Sequence, residues 1–350
     1  MDVDVPEEVR CALAKASEGS DFGYSTDQSW GWPLRVRTAF ETWARARSGI
    51  CVDPDDVVVL GQAMQGVCCS ILAFTDPGDS IVVQDPVYGS IVQAVTRLGR
   101  RLVRIPVYDT GRLELEALSR RNLREVRAVI LCNPHNPTGG ILTQCEMLEI
   151  GRAAIERGWI IISDEVHQDF IYPPNEHISV CDGRNPARHL SVAITSAAKT
   201  FNFPGLKCAV AIFGSRPMRD RFGSLPSHLR SSACQFGMVA TVAAWERCEA
   251  WHQRLLCWLQ RNRDRAYEVL TASDMPFRLF KPQATYFLWI ECLGETLGER
   301  ASSVVRRRTG LWLQCGTTFS ESRHGFVRLN FATNGRFLDM ALERLVLAFR

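Results

Sequence analysis

The sequence predicts an α/β fold with a mostly parallel, seven-stranded sheet between helices, followed by a smaller α+β domain at the C-terminus. Two observations point to it. Seven short runs rich in Val and Ile recur through the first 213 residues with little polar alternation, as strands buried on both faces require. Helix-length segments with apolar spacing near 3.6 lie between several of them, and such alternation of strand and helix builds parallel sheets.

Taken in order, the first run is DVVVL (56–60), which passes through Gly61–Gly66 into the helical pattern MQGVCCSILAF. SIVVQ (80–84) precedes the helical GSIVQAVTRLG, and RLVRIPV (101–107) follows it. RAVILC (127–132) comes before the helical QCEMLEIGRAAIERG, and then GWIIIS (158–163), LSVAIT (190–195) and CAVAIF (208–213) complete the set. From about residue 215 the pattern turns helical, through FGMVATVAAWERCEAWHQRLLCWLQRNRDRAYEVL. A mixed portion with ATYFLWIEC and GFVRLNFAT closes the chain. The expected division is 1–25 as an N-terminal segment packing with the small domain or a dimer partner, 26–250 as the large domain, and 251–350 as the small one.

The bulk numbers narrow the function classes. A chain of 350 residues, 46% hydrophobic and 23% charged, has ample core for a soluble globular protein. A net charge of +3 is too weak to suggest nucleic acid, and Arg306-Arg307-Arg308 fits a solvated helix face better than a binding patch. The 13 cysteines are scattered, with no CxxC pair at metal spacing, which predicts reduced thiols in a cytoplasmic protein and no metal. No apolar run approaches the ~18 residues of a membrane span.

Ligands of open α/β sheets bind beyond the carboxyl ends of strands, so the residues after each run are the candidates. Gly61-Gln62-Ala63-Met64-Gln65-Gly66 offers backbone N–H groups at a helix start, an anion site or simply a tight turn. Val67-Cys68 stands where a P-loop needs Lys-Ser/Thr, which excludes that motif. Asn133-Pro134-His135-Asn136-Pro137-Thr138-Gly139 is stiffened by two Asn-Pro steps, either as a plain turn or to hold the Asn136 amide still. Asp164, at a strand end, is a costly buried acid without a partner; a cap, an ion pair or a ligand could supply one. Only four of the 41 basic residues are lysine (Lys15, Lys199, Lys207 and Lys281), and Lys199 sits among small residues just after LSVAIT. A lysine buried in an apolar pocket becomes nucleophilic towards carbonyls, a role closed to arginine.

A phosphate cradle, a fixed amide, a strand-end carboxylate and a lone buried lysine are together what pyridoxal phosphate requires. The lysine condenses with the aldehyde, the carboxylate keeps the pyridine nitrogen protonated, and Asn136 and His167 are available to the ring oxygen.

The chain resembles a fold-type I pyridoxal-phosphate enzyme of the class I/II aminotransferase superfamily, and within it the cystathionine β-lyase (C–S lyase) group of the MalY/PatB type. The resemblance runs nearly end to end through DFGYSTDQSWGW, AFTDPGDSIVVQDPVYGSI, LCNPHNPTGG, IISDEVHQDFIY, TSAAKTFNFPGLK and GFVRLNFAT, in that order. It implies that Lys199 is the Schiff-base lysine and moves the Cα proton, and that Asp164 pairs with the pyridine nitrogen. It places Asn136 and His167 near the ring oxygen and Tyr88 stacked on the ring. The phosphate falls to the Ala63–Met64 backbone, Ser196 and Lys207, the α-carboxylate of an amino-acid substrate to Arg328. Tyr24 reaches a site near the phosphate from the partner subunit, which implies a homodimer.

Three departures accompany the resemblance. Relatives carry an N-terminal arm ahead of the segment matching MDVDVP, which leaves open a domain of a larger assembly. Gln62 and Gln65 occupy the phosphate turn where small residues or Pro are usual, and Cys315 replaces the Pro before Gly316. The expected reaction is β-elimination from a cysteine S-conjugate to thiol, pyruvate and ammonia, because generic aminotransferases tend to have Tyr where His167 stands. The alternative is an aminotransferase of the same family, sharing every site residue; a binding module without catalysis is a third reading, against which Lys199 argues.

Overall fold

The computed structural model describes residues 1–350 except 20, 21, 29, 30, 109, 121, 122, 124, 231, 232 and 294–298; nothing is said of the side chains of 119 and 120. Asp21, Ser29 and Trp30 of DFGYSTDQSWGW therefore lie outside the described residues. Each of the seven expected runs forms a strand: β1 Val57–Leu60, β2 Ser80–Asp85, β3 Arg101–Pro106, β4 Val126–Cys132, β5 Ile160–Asp164, β6 Ser191–Thr195 and β7 Ala209–Phe213. They make one sheet in the order β1-β7-β6-β5-β4-β2-β3.

All pairings in this sheet are parallel except those of β7, which runs against both β1 and β6. The cause is the link between β6 and β7. It holds only the four-residue helix Ala197–Thr200 and the 3-10 turn Pro204–Leu206, too little for the sheet-crossing helix of a parallel return. The reversal matters for the site. Leu60 lies opposite Ala209 and Thr195 opposite Val210, so the start of β7 shares one sheet edge with the ends of β1, β5 and β6.

Both faces of the sheet are covered, which is why the runs lack polar alternation. Val82, Val129, Leu131, Ile161, Ala193 and Val210 face a core shared with helices Trp32–Ser48 and Gln235–Arg247. Ile81, Val83, Ile130, Ile162, Ile194 and Ala211 face the opposite core, with helices Ala63–Phe74, Gly89–Arg97 and Arg216–Gly223. The Arg306–Arg308 triplet lies exposed on helix Ala301–Thr309. All 13 cysteines are free thiols, and no helix among the described residues is long and apolar enough to cross a membrane.

The C-terminal portion carries a second, fully antiparallel sheet of β8 Phe277–Leu279, β9 Phe287–Cys292, β10 Gln314–Cys315 and β11 Phe326–Asn330, ordered β10-β11-β9-β8. Its core includes Leu255, Leu259, Leu288, Ile290, Val327 and Leu342, under helices Glu249–Thr271 and Gly335–Leu347. Trp251, near the start of helix Glu249–Thr271, packs against both this core and the large one. The N-terminal segment touches both units: Met1 and Val3 pack on the small core, whereas helix Glu7–Glu18 lies along Gln235–Arg247.

Main-chain bonds stitch the two units beside the sheet edge. Gln283 and Ala284 N–H donate to Gly139 O, each at 2.9 Å, and Val87 N–H donates to Phe319 O at 3.2 Å. Gly89 permits the second seam, since a Cβ there would lie 2.7 Å from the Thr318 carbonyl oxygen.

Candidate active site

A cavity of about 450 Å³ opens at the shared sheet edge, lined from the large unit by Ala63, Met64, Tyr88, Asn136, Asp164, His167, Ser196, Lys199 and Lys207, and from the small unit by Phe287, Gln314 and Arg328. Every candidate residue except Tyr24 is among them. Tyr24 is 98% exposed and does not line this cavity of its own chain.

One end suits an anion. Ala63 and Met64 are the first two residues of a twelve-residue helix, so their N–H groups have no acceptor within it. Gly66 lets that helix press on the sheet, because a Cβ there would sit 2.9 Å from Leu60 Cδ1 and 3.1 Å from Ile194 Cγ2. Gln65, unusual at this turn, secures it: its Oε1 accepts from Gly61 N–H at 2.9 Å and its Nε2 donates to Leu229 O at 2.7 Å. Lys207 enters in the left-handed region at φ 51° immediately before β7. Ser196 lines the cavity, yet its hydroxyl proton goes to Cys208 O at 2.6 Å while its oxygen accepts from Ala198 N–H at 3.1 Å.

The middle holds two buried titratable groups. Asp164 ends β5 and accepts one backbone bond, from Val166 N–H at 3.3 Å. Burial raises its pKa from 3.8 to about 6, opposed by that N–H and by the Lys199 charge. His167 stands 5.5 Å from the Tyr286 ring, 5.7 Å from Phe287 and 5.8 Å from Phe170, centroid to centroid. Burial in this aromatic box, then the Lys199 and Arg328 charges, lower its pKa to about 3 and leave a neutral imidazole. Its Nδ1 is buried without a hydrogen-bond partner.

Lys199 departs from expectation in one respect. It is exposed, while Ala197, Ala198 and Thr200 around it are buried. The short helix packs its small residues into the core and turns the lysine into the cavity.

The two Asn-Pro steps divide their work. Asn133 is a staple: its Nδ2 donates to Ile178 O at 3.1 Å and its Oδ1 accepts from Leu142 N–H at 3.0 Å. His135, unassigned from sequence, ties the loop to the turn that carries Tyr88. Its Nε2–H donates to Pro86 O at 2.9 Å and its Nδ1 accepts from the Thr138 hydroxyl at 2.7 Å. Asn136 alone faces the cavity, where its Oδ1 accepts from Arg328 Nη1 at 2.5 Å.

Arg328 reaches across from β11. Gln314, opposite it on β10, accepts from its other terminal nitrogen, and the guanidinium lies 3.7 Å from the Phe287 ring centroid. Desolvation lowers its pKa to about 10. No carboxylate among the described residues pairs with it, so a planar donor fork faces the cavity with only amide oxygens on it. Gln314 was not legible in advance, because its place depends on β10–β11 register. The same edge thus gathers an amine, a carboxyl group, a neutral imidazole, a helix N-terminus and a guanidinium fork. No group of three or more potential metal ligands occurs among the described residues.

A model of the family "Aminotransferase class I and II" matches residues 1–345. Cystathionine beta-lyase PatB of Bacillus subtilis is 27% identical over 351 residues, covering 99% of this chain and 89% of that protein. The PLP-bound C-S lyase from Staphylococcus hominis superposes with a TM-score of 0.89 at 22% identity, over 100% of this chain and 92% of that one, a likeness of fold. N-Succinyldiaminopimelate aminotransferase from Mycobacterium tuberculosis gives a TM-score of 0.87 at 25% identity, over 99% and 91%.

Proposed function

Because the chain belongs to the aminotransferase class I and II family, we propose that it is a pyridoxal-phosphate-dependent carbon–sulfur β-lyase that cleaves a cystathionine-like cysteine S-conjugate to thiol, pyruvate and ammonia. The observation that carries the reading is one cavity lined at once by Lys199, Asp164, His167 and Arg328. The unpartnered Nδ1 of His167 and the thinly bonded Asp164 carboxyl are what a ring bearing its own polar groups would satisfy. Similarity to PatB favours elimination over amino transfer.

When bound, pyridoxal phosphate supplies an aldehyde that condenses with amines and a protonated ring that takes up the electrons left at Cα. Asp164, as carboxylate, holds the ring nitrogen's proton. His167 and Asn136 would hold the ring oxygen, and Tyr88 would hold the ring. Ala63 and Met64 N–H and Lys207 would hold the phosphate, with Ser196 beside them. Arg328 takes the substrate α-carboxylate in two parallel bonds, Asn136 and Gln314 yielding their places on it. Lys199 would hold the cofactor through its amine and, with that amine free, would accept the Cα proton at Nζ. Loss of the Cα proton to Lys199 would allow the Cβ–S bond to break with its electron pair leaving on sulfur, giving thiol and, after hydrolysis, pyruvate and ammonia.

Tyr24, exposed in one chain, fits a homodimer in which it reaches the partner's phosphate end. The free thiols fit a reducing, cytoplasmic setting. The test is Lys199→Ala: pyruvate release from a cysteine S-conjugate should vanish, and turnover persisting in that variant contradicts the assignment.

A further inference from the structure

Asp169, in the turn between β5 and the small-domain seam, has no part in the chemistry above, yet it is buried and doubly bonded. Its Oδ2 accepts from the Thr200 hydroxyl at 2.7 Å and its Oδ1 from Trp43 Nε1–H at 3.0 Å. Its carbonyl oxygen accepts from His252 Nε2–H at 2.8 Å. Thr200, Trp43 and His252 are themselves buried, and the Thr200 hydroxyl and His252 ring are fully so. No basic side chain forms an ion pair with Asp169 among the described residues. A carboxylate placed in such surroundings is costly and is held there by its neutral donors.

The position of those donors gives the pair its meaning. Thr200 directly follows Lys199 and ends the helix Ala197–Thr200. At the other end, Ser196 caps that helix and binds Cys208 O. Asp169 lies two residues beyond His167, in a turn closed by Phe170 N–H to His167 O at 3.0 Å. The Asp169–Thr200 bond therefore joins the turn that carries Asp164 and His167 to the helix that carries Lys199. Beside it, the Thr195 hydroxyl donates to Glu165 O at 3.2 Å and Glu165 N–H to Ile194 O at 2.8 Å, but both hold the strand ends and neither reaches the helix itself.

We infer that Asp169 and Thr200 are positioning residues that fix the Lys199 backbone relative to Asp164 and His167, so that the amine meets both ring and Cα in one orientation. The inference rests on the lyase reading for what Lys199 does, but not for the geometry.

Thr200→Val tests it, since the side chain keeps its shape and loses only the donor; Thr200→Ser is the rescue. In the holoenzyme Thr200→Val should lower kcat at least tenfold with KM changed less than about threefold. It should also move the pH at which the bound cofactor's visible band titrates, because that titration follows the amine's placement. Thr200→Ser should restore both. In the cofactor-free protein, amide hydrogen exchange at residues 197–201 should be faster in Thr200→Val than in wild type. Unchanged kcat and an unchanged band titration in Thr200→Val overturn the inference, as does unchanged exchange. If wild type shows no lyase turnover, the functional reading fails, and the exchange measurement still decides the positioning role.

Discussion

Replacing Asp164 by Asn should stabilise the cofactor-free protein at neutral pH while weakening its hold on the cofactor. The carboxyl is 5% exposed and accepts a single N–H bond, from Val166 at 3.3 Å. Burial, the largest influence, raises its pKa from 3.8 to about 6. A carboxyl with a raised folded-state pKa contributes stability below its unfolded value, and that contribution is lost as pH rises through the folded value. The window runs from about pH 4 to about pH 6, and the change from 3.8 to about 6 corresponds to about 3 kcal/mol. Asparagine is isosteric, never charges, and its amide oxygen still accepts from Val166. Denaturant unfolding of cofactor-free wild type and Asp164→Asn between pH 4 and pH 8 reads the effect directly. The two should coincide near pH 4, and the variant should lead by about 3 kcal/mol above pH 7. A difference that does not grow with pH, or a variant less stable throughout, refutes the reasoning. The holoprotein should show the opposite order, since only the carboxylate holds a protonated ring nitrogen.

Arg328→Lys keeps the charge but loses the planar fork, and kcat/KM for the S-conjugate should fall at least tenfold in steady-state kinetics. Gly89→Ala puts a Cβ 2.7 Å from Thr318 O, a backbone atom that cannot rotate away; thermal melts should show a loss of about 1–3 kcal/mol and kinetics a raised KM. Ser196→Ala removes the donor to Cys208 O and the cap on Ala198 N–H, and denaturant unfolding should report a loss of about 1–2 kcal/mol.

The strands were legible because burial on both faces writes itself as uninterrupted Val/Ile runs, and all seven expected runs are strands. The direction of β7 was not, since it follows from what the 196–208 link can span rather than from anything in AVAIF itself. Ten of the eleven candidate residues line one cavity because strand-end positions converge wherever strands end on a common edge. Exposure of Lys199 escaped prediction: small neighbours were read as a pocket around it, whereas they pack beneath it and lift it clear. Gln314, His135 and Asp169 were equally hidden. Each acts through a partner far away in sequence, Gln314 on Arg328, His135 on Pro86 and Asp169 on Trp43 and Thr200, and single-chain spacing carries no trace of such pairs.

The central claim is elimination at Lys199 rather than amino transfer. The direct measurement is a stoichiometry: holoenzyme with excess cystathionine or another cysteine S-conjugate, no keto acid added, and thiol, pyruvate and ammonia counted together. Sustained release of all three in equal amounts over many turnovers is the predicted result. A single equivalent of keto acid per site followed by arrest, relieved by adding a second keto acid, would contradict it and mark the chain as an aminotransferase.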